Sequence, residues 1–146
     1  MSTGGRPDEL RRDEPRGMWR KLRYAPRKIG YHWGPRLMSE LRKRWVVFRH
    51  PHATVSFGRY THVGPGFSLH MPSDGEFICG DACEFRHGFR AEVHHGASIR
   101  IGNESRFTYN VLMQCAGSIE IGDRVMLGQS SAIFDGNHRF RDLDIP

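Results

Sequence analysis

The chain has 146 residues, enough for one domain with an appended segment. Hydrophobic residues make up 38% of it, and its longest apolar run, Trp45-Val46-Val47-Phe48, falls far short of the roughly 20 residues needed to cross a bilayer. The net charge of +6 is unevenly placed: residues 1–50 hold 14 Lys/Arg against 5 Asp/Glu (+9), whereas residues 51–146 hold 8 against 11 (−3).

Met1–Arg6 has no apolar leader core, and three cysteines are too few for a disulfide framework, so a cytoplasmic setting is expected. Residues 1–16 are polar and interrupted by Pro7 and Pro15, and no fixed structure is expected there. Residues 17–35 mix Trp19, Tyr24, Tyr31 and Trp33 with Pro26, Gly30, Gly34 and Pro35, too broken a pattern for one long helix. Beyond Pro35, Leu37, Leu41, Trp45 and Phe48 recur at helical spacing until Pro51. That predicts a short basic amphipathic helix over 36–48. Residues 1–52 thus read as a basic N-terminal arm. Stacked repeats need a cap at each end, and Leu37, Leu41 and Trp45 are expected to cover the following domain. Weak contact of the arm with an anionic membrane surface is the second reading, and nucleic acid is not expected as a partner.

From residue 55 the chain repeats. Val55-Ser56-Phe57-Gly58, Phe77-Ile78-Cys79-Gly80, Ile99-Arg100-Ile101-Gly102 and Ile119-Glu120-Ile121-Gly122 align at spacings of 22, 22 and 20 residues. With the residue before each Gly taken as position zero, apolar residues recur at +6 and +12. The twelve sites are Phe57, Val63, Leu69; Cys79, Phe85, Ala91; Ile101, Phe107, Met113; and Ile121, Leu127, Ile133. Position +4 is small or β-branched in each segment: Thr61, Cys83, Ser105, Val125. A six-residue subperiod inside a ~20-residue period describes a short strand and a tight corner, three to a triangular coil. Positions 0 and +4 should point inward. The Gly at +1 should start a corner where a side chain or a negative φ does not fit. Residues 53–146 are therefore expected to form an all-β parallel β-helix of about four coils. Cys79 and Cys83, as C-x-x-x-C, read as core rather than as a metal site.

The unit [LIV]-G-x-x-x-x resembles the hexapeptide-repeat (isoleucine-patch) acyltransferases. The closest stretch is Ile121-Gly122-Asp123-Arg124-Val125-Met126-Leu127-Gly128, continuing through Ile133 into the loop Phe134-Asp135-Gly136-Asn137-His138-Arg139-Phe140. The resemblance implies a left-handed β-helix, an exception to the usual right-handed crossover. It also implies acetyl-CoA as donor, no metal, a sugar or polysaccharide-precursor hydroxyl as acceptor, and a homotrimer with active sites between neighbouring prisms. His138, at +17 from Ile121, matches the family's catalytic histidine, and the Asp-x-x-His form is similar to the polysaccharide-modifying branch. Asn110, at +9 in its coil, matches an asparagine of the acceptor pocket, and Asp135 is a further candidate substrate-site residue. Residues binding coenzyme A are not identified. Family members continue with more coils that build much of the coenzyme A groove, so this chain is expected to be a C-terminally truncated member.

Acyl transfer to a hydroxyl needs a base for the hydroxyl proton, and a neutral imidazole, with an ordinary pKa of about 6.5, suits that task near neutrality. Asp135 or a backbone carbonyl could orient its second nitrogen. Backbone N–H groups of the glycine-rich corners could hold the tetrahedral oxyanion. Two other readings stand beside this one. One is a catalytically incompetent truncated β-helix serving as a trimeric binding or structural module. The other is a zinc protein like the γ-type carbonic anhydrases, although the histidines fall at differing offsets and do not converge within one chain.

Overall fold

The computed structural model describes the backbone of residues 18–136, with side chains from Gly34 onward. The expectations for residues 1–16 and for His138 lie outside the described residues. Contacts divide the chain between Gly34 and Pro35 into two compact units.

Among the described residues, twelve short strands form the second unit's solenoid. The first coil holds β1 (Thr54–Phe57), β2 (His62–Val63) and β3 (Ser68–His70), and the second β4 (Glu76–Cys79), β5 (Glu84–Phe85) and β6 (Arg90–Val93). The third holds β7 (Ser98–Ile101), β8 (Arg106–Phe107) and β9 (Leu112–Cys115), and the fourth β10 (Ser118–Ile121), β11 (Met126–Leu127) and β12 (Ala132–Phe134). Like strands of successive coils pair in parallel, giving three four-stranded sheets: β1-β4-β7-β10, β2-β5-β8-β11 and β3-β6-β9-β12. The expected parallel β-solenoid of about four coils is what the chain forms.

The register follows the repeat. Phe57, Cys79, Ile101 and Ile121 stack in one column, Val63, Phe85, Phe107 and Leu127 in a second, and Leu69, Ala91, Met113 and Ile133 in a third. The eight at Val63, Leu69, Cys79, Phe85, Ala91, Ile101, Phe107 and Met113 are buried, and Phe57, Ile121, Leu127 and Ile133 are partly so. Two further inward columns lie outside the three expected ones: Phe67, Phe89 and Val111 at +10, and Met71, Val93 and Cys115 at +14. The +4 residues Thr61, Cys83 and Ser105 are buried as expected, Val125 in the last coil is partly so, and the hydroxyls also bond. Thr61 Oγ1 donates to the Gly80 carbonyl (2.9 Å) and accepts from Cys83 N–H (3.2 Å), and Ser105 does the same with Gly122 and Val125. A small hydroxyl there supplies the partner that a buried corner carbonyl requires. Cys79, Cys83 and Cys115 are free and buried.

Of the two reasons expected for the +1 glycines, the lack of room for a side chain holds at Gly58, Gly80 and Gly102, and the positive φ is corrected. Positive φ occurs instead at +3, in Tyr60, Ala82, Glu104 and Arg124 (55° to 60°), and at +9, in Gly66, Gly88, Asn110 and Ser130 (56° to 78°). What the +1 glycines require is proximity between coils. A Cβ on Gly58 would lie 2.2 Å from the Gly80 carbonyl oxygen, and one on Gly102 2.7 Å from Asp123 N, whereas one on Gly122 would meet nothing within 4 Å. Gly102→Ala should therefore cost about 1–3 kcal/mol or more by forcing backbone apart, and Gly122→Ala under about 1 kcal/mol. Urea denaturation of the two variants compares them, and equal costs would remove the close-approach argument.

The helix α1 spans Met18–Arg49, 32 residues, so the reading of 17–35 as too broken for a helix is corrected. Arg20, Lys21, Leu22, Arg23, Ala25, Arg27 and Lys28 are strong helix formers. Pro26 and Pro35 each remove one N–H donor and crowd the preceding turn, yet neither ends the element. The predicted 36–48 segment forms its C-terminal part.

That part does cap the solenoid, but with the other face. Leu37, Leu41, Trp45 and Phe48 stay exposed, whereas Ser39 and Val46 are buried at 2% and 7% exposure. The first coil's upper edge presents unpaired backbone groups, and polar side chains satisfy them. Ser39 Oγ accepts from Val63 N–H (2.8 Å), Arg42 donates to the Val63 carbonyl (3.1 Å), and His52 Nε2 lies 3.1 Å from the Met71 carbonyl. A strand edge asks for hydrogen bonds before it asks for apolar cover.

Candidate functional site

Of the site residues named by the sequence, Asn110 and Asp135 lie along the sheet β3-β6-β9-β12. Asn110 occupies the corner just before β9, exposed, with φ of 56°. Its N–H donates to the His87 carbonyl (3.0 Å), and its Oδ1 lies 2.3 Å from where a Cβ on Gly88 would be. Asparagine tolerates the left-handed region better than most residues, so the corner itself accounts for part of its presence. Arg86 lies over the neighbouring Tyr109 ring at 5.9 Å.

Asp135 follows β12 at the far end of the same sheet. Its N–H donates to the Gln114 carbonyl, which sets it beside Cys115 in the +14 column. Met71, Val93 and Cys115 fill the earlier sites of that column, so a carboxylate continues a run of buried apolar side chains. It accepts from Ala116 N–H (2.5 Å), Gly117 N–H (2.7 Å) and the Cys115 thiol (3.4 Å). Burial pushes its pKa up, but those donors prevail and hold it below the usual carboxylate range. The same neighbourhood pushes the Cys115 thiol up to about 11, through burial first and then the Asp135 carboxylate. The thiol is protonated near neutrality, so Cys115 is a donor there and not a nucleophile.

Sequence reasoning marked Asp135 for its distance from His138 and missed its place in the column. Extending the count from +12 to +14 would have found it.

Asn110 and Asp135 are not brought together within one chain. Five residues of strand separate Asn110 from Cys115, roughly 15 Å at the strand rise. His138 lies beyond Gly136, outside the described residues.

Earlier coils hold their own polar groups at the same edge. His95 Nδ1 meets the Asp74 carboxylate, and His94 Nε2 lies 3.8 Å from Glu92 Oε1. Gln114 donates to Glu92 (3.3 Å) on the outer face of the sheet. Among the described residues no three His, Cys, Asp or Glu side chains gather as a metal site. A cavity of about 920 Å³ lies between α1 and the first coil, lined by Arg36, Lys43, Phe57 and His62 among others. It is three coils from Asp135, and its His62 is held below the ordinary histidine range, by burial first and then by Arg42 and Lys43 against the opposing pull of Glu84.

No family model matches the chain, and comparison with curated proteins and with solved structures returns no significant match. The solenoid is therefore identified by its own register.

Proposed function

We propose that this chain is a coenzyme A-dependent O-acetyltransferase on a left-handed β-helix, which moves an acetyl group to a hydroxyl of a sugar or polysaccharide precursor. The observation that carries the reading is the column register. It makes Ile121 the zero position of the fourth coil, and His138 follows at +17 in the sequence. His138 takes the acceptor proton, and the alkoxide oxygen attacks the thioester carbonyl directly. The tetrahedral intermediate expels coenzyme A thiolate.

Two features of the geometry shape the proposal. Asp135 already receives two backbone N–H groups, so its first contribution is to fix the edge from which the loop departs, ahead of any contact with imidazole. Asn110 lies at the opposite corner of the sheet, and the resemblance implies a three-fold homotrimer in which it meets His138 of a neighbouring prism. The active site then lies between chains.

The Asp135 contacts also favour a second reading, a trimeric binding or structural module without catalysis, because they are fully explained by folding. Incubation with acetyl-CoA and a panel of sugar acceptors, with thiol release followed, separates the two. Acceptor-dependent thiol release from a trimeric species is expected of a chain continued by the further coils the resemblance implies, and little of it from the 146-residue chain, which lacks most of the donor groove. A monomer at micromolar concentration by light scattering would remove the intersubunit site, and a trimer of the continued chain with no transfer would favour the module.

A further inference from the structure

The apolar face of α1 that the solenoid does not use requires its own account. At 100° per residue, Ser39, Val46 and His50 share one side of the helix, and Leu37, Leu41, Trp45 and Phe48 lie opposite. The first three are buried. The other four are 63%, 50%, 59% and 76% exposed, and Met38 and Val47 beside them are exposed as well. Trp45 and Phe48 stack on one another at 6.0 Å, so the outer face presents a continuous aromatic and aliphatic stripe. Such a stripe on a monomer surface marks a binding surface.

Charge selects the occupant. Residues 36–49 hold five basic side chains (Arg36, Arg42, Lys43, Arg44, Arg49) against one acidic, a net charge of +4. Arg42 is engaged with the Val63 carbonyl and Lys43 with Glu40. That leaves Arg36, Arg44 and Arg49, all exposed; Arg44 and Arg49 flank the apolar stripe, whereas Arg36 turns toward the cavity over the first coil. A second copy docking through the same face would set these like charges against each other. An anionic lipid surface offers what both parts of the face need, with phosphates for the arginines and acyl chains for Leu, Trp and Phe. No described helix is long and apolar enough to span a membrane, so the fitting geometry is a helix lying in the interface plane.

We infer that the outer face of α1 between Arg36 and Arg49 docks onto an anionic lipid surface, with the solenoid carried on the inner face. This does not rest on acetyl transfer and survives if that reading fails. It goes beyond a general attraction of the basic arm, because it assigns binding to four apolar side chains as well as to charge.

The test is co-sedimentation of the 146-residue chain with vesicles of phosphatidylcholine alone and of phosphatidylcholine mixed equally with phosphatidylglycerol. Binding to the mixed vesicles is expected, weakening with salt and falling at least about tenfold in a Trp45→Ser/Phe48→Ser variant. A Leu37→Ser/Leu41→Ser variant gives a second reading of the same face, and an unchanged urea midpoint shows that each variant is folded. Failure to bind mixed vesicles overturns the inference, as does equal binding by the folded variants, which would assign attraction to charge elsewhere in the arm. An oligomer in lipid-free solution that either variant disperses would also overturn it, in favour of a second copy as occupant.

Discussion

Phe107→Ala should destabilise the solenoid by about 3–5 kcal/mol, the cost of removing a buried aromatic ring and leaving its cavity. Phe107 is fully buried. Its ring stacks on Phe85 with centroids 4.8 Å apart and planes within 6°, and it meets the edge of Phe89 at 5.4 Å. The same cluster runs on through Phe67, Phe77 and Phe57, so one ring supports packing across three coils. The prism cannot close around the gap easily, because coil spacing is fixed by the backbone ladders on all three sides. Glu120 points outward in the same region, in register with Arg100, and Glu120→Ala should cost under about 0.5 kcal/mol. Urea denaturation of both variants decides the matter. If Phe107→Ala cost no more than Glu120→Ala, the column assignment would be wrong.

The columns were legible because a period is a statement about stacking. Residues 22 and 20 apart can meet coil after coil only in a solenoid, and all twelve expected sites do so. The lack of room at the +1 glycines was legible, but the pattern could not separate it from positive φ, since both call for Gly. The positive-φ corners at +3 carry Tyr60, Ala82, Glu104 and Arg124, none of which signals a left-handed residue.

The docking face of α1 was misread for a related reason. Hydrophobic periodicity finds an apolar stripe but not its partner, and the edge beneath it required the hydroxyl of Ser39 and the guanidinium of Arg42. Of the site, Asn110 could be found by counting, although its corner geometry could not. Asp135 could be found, but not its bonds to Ala116 and Gly117, which depend on where the third coil's loop passes.

His138→Ala should lower acetyl transfer by about 10²–10⁴-fold, the usual worth of a positioned general base. The hydroxyl of a sugar is a poor nucleophile near neutrality, so the rate depends on a group that takes its proton as the oxygen attacks. Imidazole does this in its neutral form. The measurement is the rate of acceptor-dependent thiol release, wild type against variant, in the 146-residue chain and in a chain continued by the further coils the resemblance implies. Asn110→Ala in the same assay should raise the acceptor KM more than the acetyl-CoA KM. Because that variant replaces a left-handed corner residue, its urea midpoint must be compared with wild type before the KM is read. Equal rates with and without the imidazole would remove the general base. Asp135 would then keep its structural role, bound to Ala116 and Gly117, and the solenoid would read as a binding module.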